Sequence, residues 1–201
     1  MPSVLEGLGT EAVVDEIFLV LRERLNDAIA YQQARWDAHD QARATRLGVG
    51  WEQLLIEPVE PDNFHSGVLP SFIMEDDRVE AYPLVAVTPG TTIPDAENVT
   101  FDQIDVYNNA VVVHAFGRGN PTEGAEVAYR RSMRMAEAVH QIIHTDRSLK
   151  KIIKGVSAPQ LVNRSEPWKF PAGDGHGEDW VWMAVAHQYQ VKNYSQPPQE
   201  V

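Results

Sequence analysis

His140 and His144 stand one helical turn apart in the run HQIIH. Two imidazoles at i and i+4 share a helix face, and in the pattern H-E-x-x-H they hold zinc while the glutamate takes a proton. Here position 141 is glutamine, which cannot act as that base. Asp146, His176 or Asp179 would be the available third ligand, and nothing in the sequence requires one. Two half-exposed polar histidines are expected.

A second chemical motif lies in VVVHAFGRGNPTEGAEVAYRR, residues 111–131. A strand, a glycine turn and a helix in that order is the layout of a phosphate-binding loop. Gly117 and Gly119 open a G-x-G-x-x-x-x-G spacing, which departs from the dinucleotide-binding G-x-G-x-x-G. No Gly-Lys-Ser/Thr follows, so the lysine and magnesium hydroxyl of a nucleotide triphosphatase are missing. Asn120 suits the N-cap, Pro121 the first helical position and Glu123 a capping box. With Glu126 in the next turn, the helix start already has its anions and would repel a phosphate. A plain strand-to-helix turn is expected.

The remaining chemistry-bearing residues form no catalytic constellation. His114 in VVVHAF and His187 in AVAHQY read as satisfied sheet histidines. Ser66-Gly67 and Ser71 lack the G-x-S-x-G elbow of a serine hydrolase. Glu75, Asp76 and Asp77, with Arg78 and Glu80 beside them, read as an exposed turn more than a cation site. The chain has no cysteine, which removes thiol nucleophiles, disulfides and cysteine-bound zinc. The expectation is a protein that is not an enzyme and needs no cofactor or metal.

The elements that position these residues follow from periodicity. From a Thr10 N-cap, Val14, Phe18, Leu21, Leu25 and Ala28 recur at steps of three and four, which is one apolar helix stripe. The pattern runs to about Leu47, where Gly48 ends it. Beyond residue 30 the stripe falls on Gln32, His39 and Arg43, with Trp36 alone apolar. The first half should pack on a core; the second should project, bend away or meet a partner, or form a separate surface helix. Residues 51–80 suggest short extended pieces broken by Pro58, Pro61 and Pro70. AYPLVAVTPG reads as a buried strand ending at Pro89-Gly90, and TTIPDAENVT as a polar loop.

FDQIDVYNNAVVVHAFG is extended, with Asn108-Asn109 either a hairpin turn or part of one long strand. A helix is expected over about 121–145, its core stripe carrying Ala125, Ala128, Tyr129, Ser132, Met135, Ala136, Val139, Ile142 and Ile143. Arg130 and Arg134 would lie on the far side from that stripe, with Arg131 at its border. These arginines, with Lys150, Lys151 and Trp36, are the candidate surface for a neighbouring subunit or partner; a solvated face is the alternative. KIIKGV, PQLVNRSEPWKF and WVWMAVAHQYQV are strand patterns, FPAGDGHGED a loop, and residues 192–201 a tail. Strands outnumber helices. The expected fold is α+β, a mixed but mostly antiparallel sheet covered by the long N-terminal helix and the second amphipathic helix. The expected organisation is an N-terminal helix over 1–50, a core domain over 51–191 and the tail.

Composition agrees with a globular class: of 201 residues, 43% are hydrophobic and 23% charged. The acidic N-terminal stretch does not read as a signal peptide, and no apolar run approaches the roughly 18 residues of a membrane helix. Net charge is −12, unevenly spread. Residues 50–105 hold twelve carboxylates and one basic residue, Arg78, whereas residues 130–154 hold seven basic residues. Such acidity argues against nonspecific nucleic-acid binding. The two stretches could meet between identical subunits.

The order YPLVAVTPG, a loop, VYNNAVVVHAFGRGNPTEGAEVAYRRSMRMAEAVHQIIHTDRSL, then a late WVWMAVAHQYQV strand resembles the tail terminator proteins of tailed bacteriophages, also called tail completion or head–tail joining neck proteins. The resemblance covers about residues 80–190 and includes a helix ending in D-x-x-L, here Asp146 to Leu149. The longer N-terminal helix and the 158–178 insertion depart from that pattern and leave an adjacent neck protein open. The resemblance implies a structural virion protein made in the host bacterial cytoplasm. It would form a ring, typically a hexamer, that caps the tail tube and presents a surface to the head connector. DNA would pass through its lumen unbound. Two alternatives come from other classes: a metal-dependent hydrolase using His140, His144 and a carboxylate, and a monomeric binding module using its helical arm.

Overall fold

The apolar stripe that starts near Thr10 becomes one continuous helix, α1 (Gly9–Leu47), in the computed structural model of the chain. The structure describes residues 9–69, 82–94, 105–119, 123–145, 159–166, 168–170 and 181–195. Gly48 follows α1 with φ +66°, a left-handed conformation that glycine adopts without strain, and so ends the helix. After an irregular stretch and a 3₁₀ turn (Pro61–Asn63) come β1 (Phe64–Ser66), β2 (Leu84–Pro94) and β3 (Asp105–Gly119). Helix α2 (Gly124–Thr145), β4 (Gln160–Arg164), β5 (Trp168–Phe170) and β6 (Val181–Ser195) complete the described elements.

The strands form one sheet in the order β1-β2-β3-β6-β4, with β5 also pairing β6. Among the described residues only β1 and β2 run parallel; the other described pairs are antiparallel. The fold is therefore α+β with a mixed, mostly antiparallel sheet. β3 and β6 pair without interruption from Asp105↔Ser195 to Gly119↔Val181, so Asn108 and Asn109 lie inside a long strand. This pairing also carries β6 to Ser195, so residues 192–195, expected in the tail, are strand, and residues 196–201 lie outside the described residues. Pro89-Gly90 does not end β2; the register shifts between Pro89 and Thr92 and the strand continues. Residues 95–104, KIIKGV and PAGDGHGED lie outside the described residues, while Phe170, expected at the start of the loop, ends β5.

Alternation sends Val85 and Val87 of β2, Val111, Val113 and Ala115 of β3, and Val185, Tyr189 and Val191 of β6 to one face. Both helices cover that face: α1 packs over β1 and β2, α2 over β3 and β6, and the helices touch each other. Ile17, Leu21 and Leu25 of α1 join Met135, Val139 and Ile143 of α2 in the same buried cluster. The N-terminal helix is thus part of the core. On the opposite face Leu84, Ala86, Phe116 and Ala184 are also buried, with Tyr82 edge-on to Phe116 at 6.3 Å.

The glycine turn explains how α2 sits so close to β3. A Cβ on Gly117 would lie 2.6 Å from the Ser132 nitrogen and 2.9 Å from the Ala128 carbonyl oxygen. One on Gly119 would lie 2.5 Å from the Gly124 carbonyl oxygen. These glycines admit a helix backbone. The expected start of α2 near 121 moves to Gly124, and Asn120–Thr122 lie outside the described residues.

Candidate functional site

The second half of α1 stays on the protein through polar contacts. Its buried line continues from Leu25 and Ile29 to Gln32, Trp36, Asp40 and Ala44, at steps of three and four. His39 and Arg43, expected on that line, are exposed instead. Gln32 hydrogen-bonds Gln141 of α2. Asp40, only 7% exposed, accepts from Arg134 Nη2 at 2.6 Å and from Arg130. The Arg134 guanidinium also lies over the Trp36 ring, 5.4 Å from its centroid. Burial works against ionisation of Asp40, but the hydrogen bond and charge of Arg134, then Arg130 and His39, outweigh it. Its carboxyl is held below the ordinary aspartate value.

These contacts correct the expected placement of the arginines. Arg134 is buried and α1 covers it, because α2 has a second packed face beside its sheet stripe. That face also buries Ala138, whereas Ala125 and Tyr129, expected in the core stripe, are exposed. Arg131 is bidentate to Glu123 at 2.8 and 3.0 Å and donates to the carbonyls of Arg118 and Leu55. It pins the β3–α2 turn to the 51–60 segment. Trp36 is 8% exposed and belongs to the core cluster. Of the expected interface residues, then, Arg130, Arg131, Arg134 and Trp36 are committed within the chain, while Lys150 and Lys151 lie outside the described residues.

Beside this network an open cleft of ≈ 550 Å³ runs between α1 and α2, lined by Gln32, Arg35, Trp36, His39, Asp40, Arg43, Glu126, Tyr129, Arg130, Arg134 and Glu137. Its floor is the Asp40 ion network and its outer wall is the exposed flank of α1. A carboxylate clamped by two guanidiniums is a poor base, so the cleft is built to hold charges in place more than to move protons. The missed residue was Asp40. Its signal was its position four after Trp36 and the need of Arg130 and Arg134 for one shared anion.

No protein-family model matches the chain, and no curated protein is similar to it in sequence.

The histidine pair is part of a different network. His140 of α2 stacks on exposed His144, ring centroids 5.8 Å apart, and its Nδ1 lies 3.3 Å from the Tyr189 hydroxyl. The same hydroxyl is 3.4 Å from His187 Nδ1. A hydroxyl donates once, so one of these histidines carries its proton on Nδ1. His187 Nε2 is buried with no hydrogen-bond partner among the described residues. An orphaned acceptor is commoner than an orphaned N–H, so His187 is assigned the Nδ1 proton, donated to Tyr189, which donates to His140. Burial, then the charges of Arg164 and His140, bring His187 down to about 4. His140 is lowered by burial and by His144 and Arg164, against a smaller opposing effect of Glu137. Burial raises the Tyr189 phenol. Among the described residues no three His, Asp or Glu side chains converge as a metal site; Asp146, His176 and Asp179 lie outside them. On the other sheet face His114 Nε2 shares a hydrogen bond of 3.1 Å with Thr88, and burial lowers His114 to about 4.

Proposed function

We propose that the protein is a structural component of a tailed-phage virion, a ring-forming tail terminator at the junction of tail and head. The observation that carries the reading is the unit built by the stretch that bears the family resemblance. β2, β3 and β6 are consecutive neighbours in one sheet, and α2, which follows β3 in the chain, is seated on β3 through Gly117 and Gly119. The stretch that resembles that family thus folds as strand, turn, helix and late strand, with α1 and α2 packed on the same sheet face, which supports the reading. The ring would join the tail tube protein to the head connector, with DNA passing through its lumen. The net charge of −12 suits a passage that must release DNA. No helix among the described residues is long and apolar enough to cross a membrane. Negative-stain microscopy of the purified protein at high concentration tests the reading: rings with a central hole are expected, and uniformly dispersed single chains would count against it.

A further inference from the structure

The structure leaves a cationic flank on α1 whose arginines pair with no carboxylate among the described residues. Between Tyr31 and Leu47 the helix contains no glutamate or lysine. Its two aspartates are both engaged: Asp40 with the α2 arginines, Asp37 with the side-chain amides of Gln33 and Gln53. Tyr31, Arg35, His39, Arg43 and Arg46 are exposed, Tyr31 by 72%, and none of these arginines pairs with a described carboxylate. Tyrosine and arginine without lysine or glutamate is the composition of an interface core, whereas a solvated helix face mixes lysine and glutamate.

A matching acidic strip lies on the other side of the same helix. The 51–60 segment runs back along α1, tied by Gln33 to Leu54 and Ile56 and by Asn26 to Val59. Glu52 and Glu60 are exposed on it, with Leu55 between them 55% exposed, and Asp62 is exposed in the 3₁₀ turn that follows. At about 100° per residue, Gln33 and Asp37, which face this strip, lie on roughly the opposite side of α1 from Arg35 and Arg46. Complementary patches on opposite sides cannot meet within one chain. They can meet head to tail between copies, the heterologous contact from which closed rings are built.

We propose that the Tyr31–Arg46 flank of α1 docks the acidic 52–62 strip of a second copy of this chain. The cleft beside Tyr129 would take Leu55 of that strip. This inference rests on the ring reading and specifies which surfaces make the ring. It replaces the α2 arginines as the basic partner, since those are neutralised by Asp40 and Glu123.

The test is a pair of charge-reversed chains, Arg35→Glu with Arg46→Glu, and Glu52→Lys with Glu60→Lys. All four residues are exposed, so circular dichroism and melting should match the wild type. Each variant alone should self-associate at least about tenfold more weakly in sedimentation, because like charges then face each other. Mixed in equal amounts, they should co-assemble, since every alternating contact is again opposite in sign. Wild-type assembly that neither reversal weakens, or a mixture that stays dispersed, would overturn this contact and leave the ring reading intact. A wild-type chain still monomeric at about 1 mM would overturn both.

Discussion

Asp40 is the residue on which the polar half of α1 depends. It satisfies Arg130 and Arg134 at once, and Arg134 in turn covers Trp36. Removing one partner of a buried pair leaves the other charge uncompensated, which costs more than the pair contributes. Asp40→Ala should lower stability by about 3 kcal/mol in urea unfolding, with the helical signal of α1 lost first. Reversing Arg130 and Arg134 to glutamate would damage the fold itself and is no test of assembly. The buried histidines set the pH response. His187 and His114 each fall from 6.5 to about 4 in the folded chain, so the unfolded chain takes up protons first as pH drops. The groups facing His187 are Arg164, His140 and Tyr189, none of which stabilises an added proton. Their contribution is complete above about pH 6.5 and is lost progressively as pH falls toward 4. The urea midpoint should therefore drop between pH 7.5 and pH 5; a midpoint constant over that range would contradict the burial assigned to these two rings.

At the scale of elements, the turn between β3 and α2 is a device for close packing. Gly117→Ala should cost about 2 kcal/mol, because its Cβ would strike helix backbone that cannot move aside. Gly50→Ala, with open space at that position, should change stability far less. Equal melting temperatures for the two variants would sink this account. Much of this level was legible in the sequence. Apolar repeats placed α1 and α2, and alternation placed β6, because burial against a sheet leaves a periodic mark. The end of α1 at Gly48 was legible for a local reason, the left-handed residue. The course of the second half of α1 was not. There the buried line is Gln32, Trp36, Asp40 and Ala44, and polar residues on a buried line look like solvent residues until their partners are known. Those partners are about a hundred residues away in the chain, on α2. Pro89-Gly90 misled similarly: a bulge and a strand end share the same local residues, and only the pairing with β3 separates them.

At the scale of the whole molecule, charge is redistributed from what composition suggests. The basic stretch on α2 is spent inside the fold, which moves the available positive charge to the outer flank of α1. The 52–62 strip, with Glu52, Glu60 and Asp62 exposed, is acidic, so α1 and the segment along it present two unlike sides. A chain with two unlike, complementary sides can assemble directionally, and the proposal that this one does so is the central claim of this account. The most direct measurement is the mass of the purified protein in solution by light scattering over a rising concentration series at low salt. A species near a whole-number multiple of the 22.5 kDa chain, six for a hexameric ring, that dissociates as salt is raised is the predicted result. A constant 22.5 kDa species at every concentration and salt would contradict it.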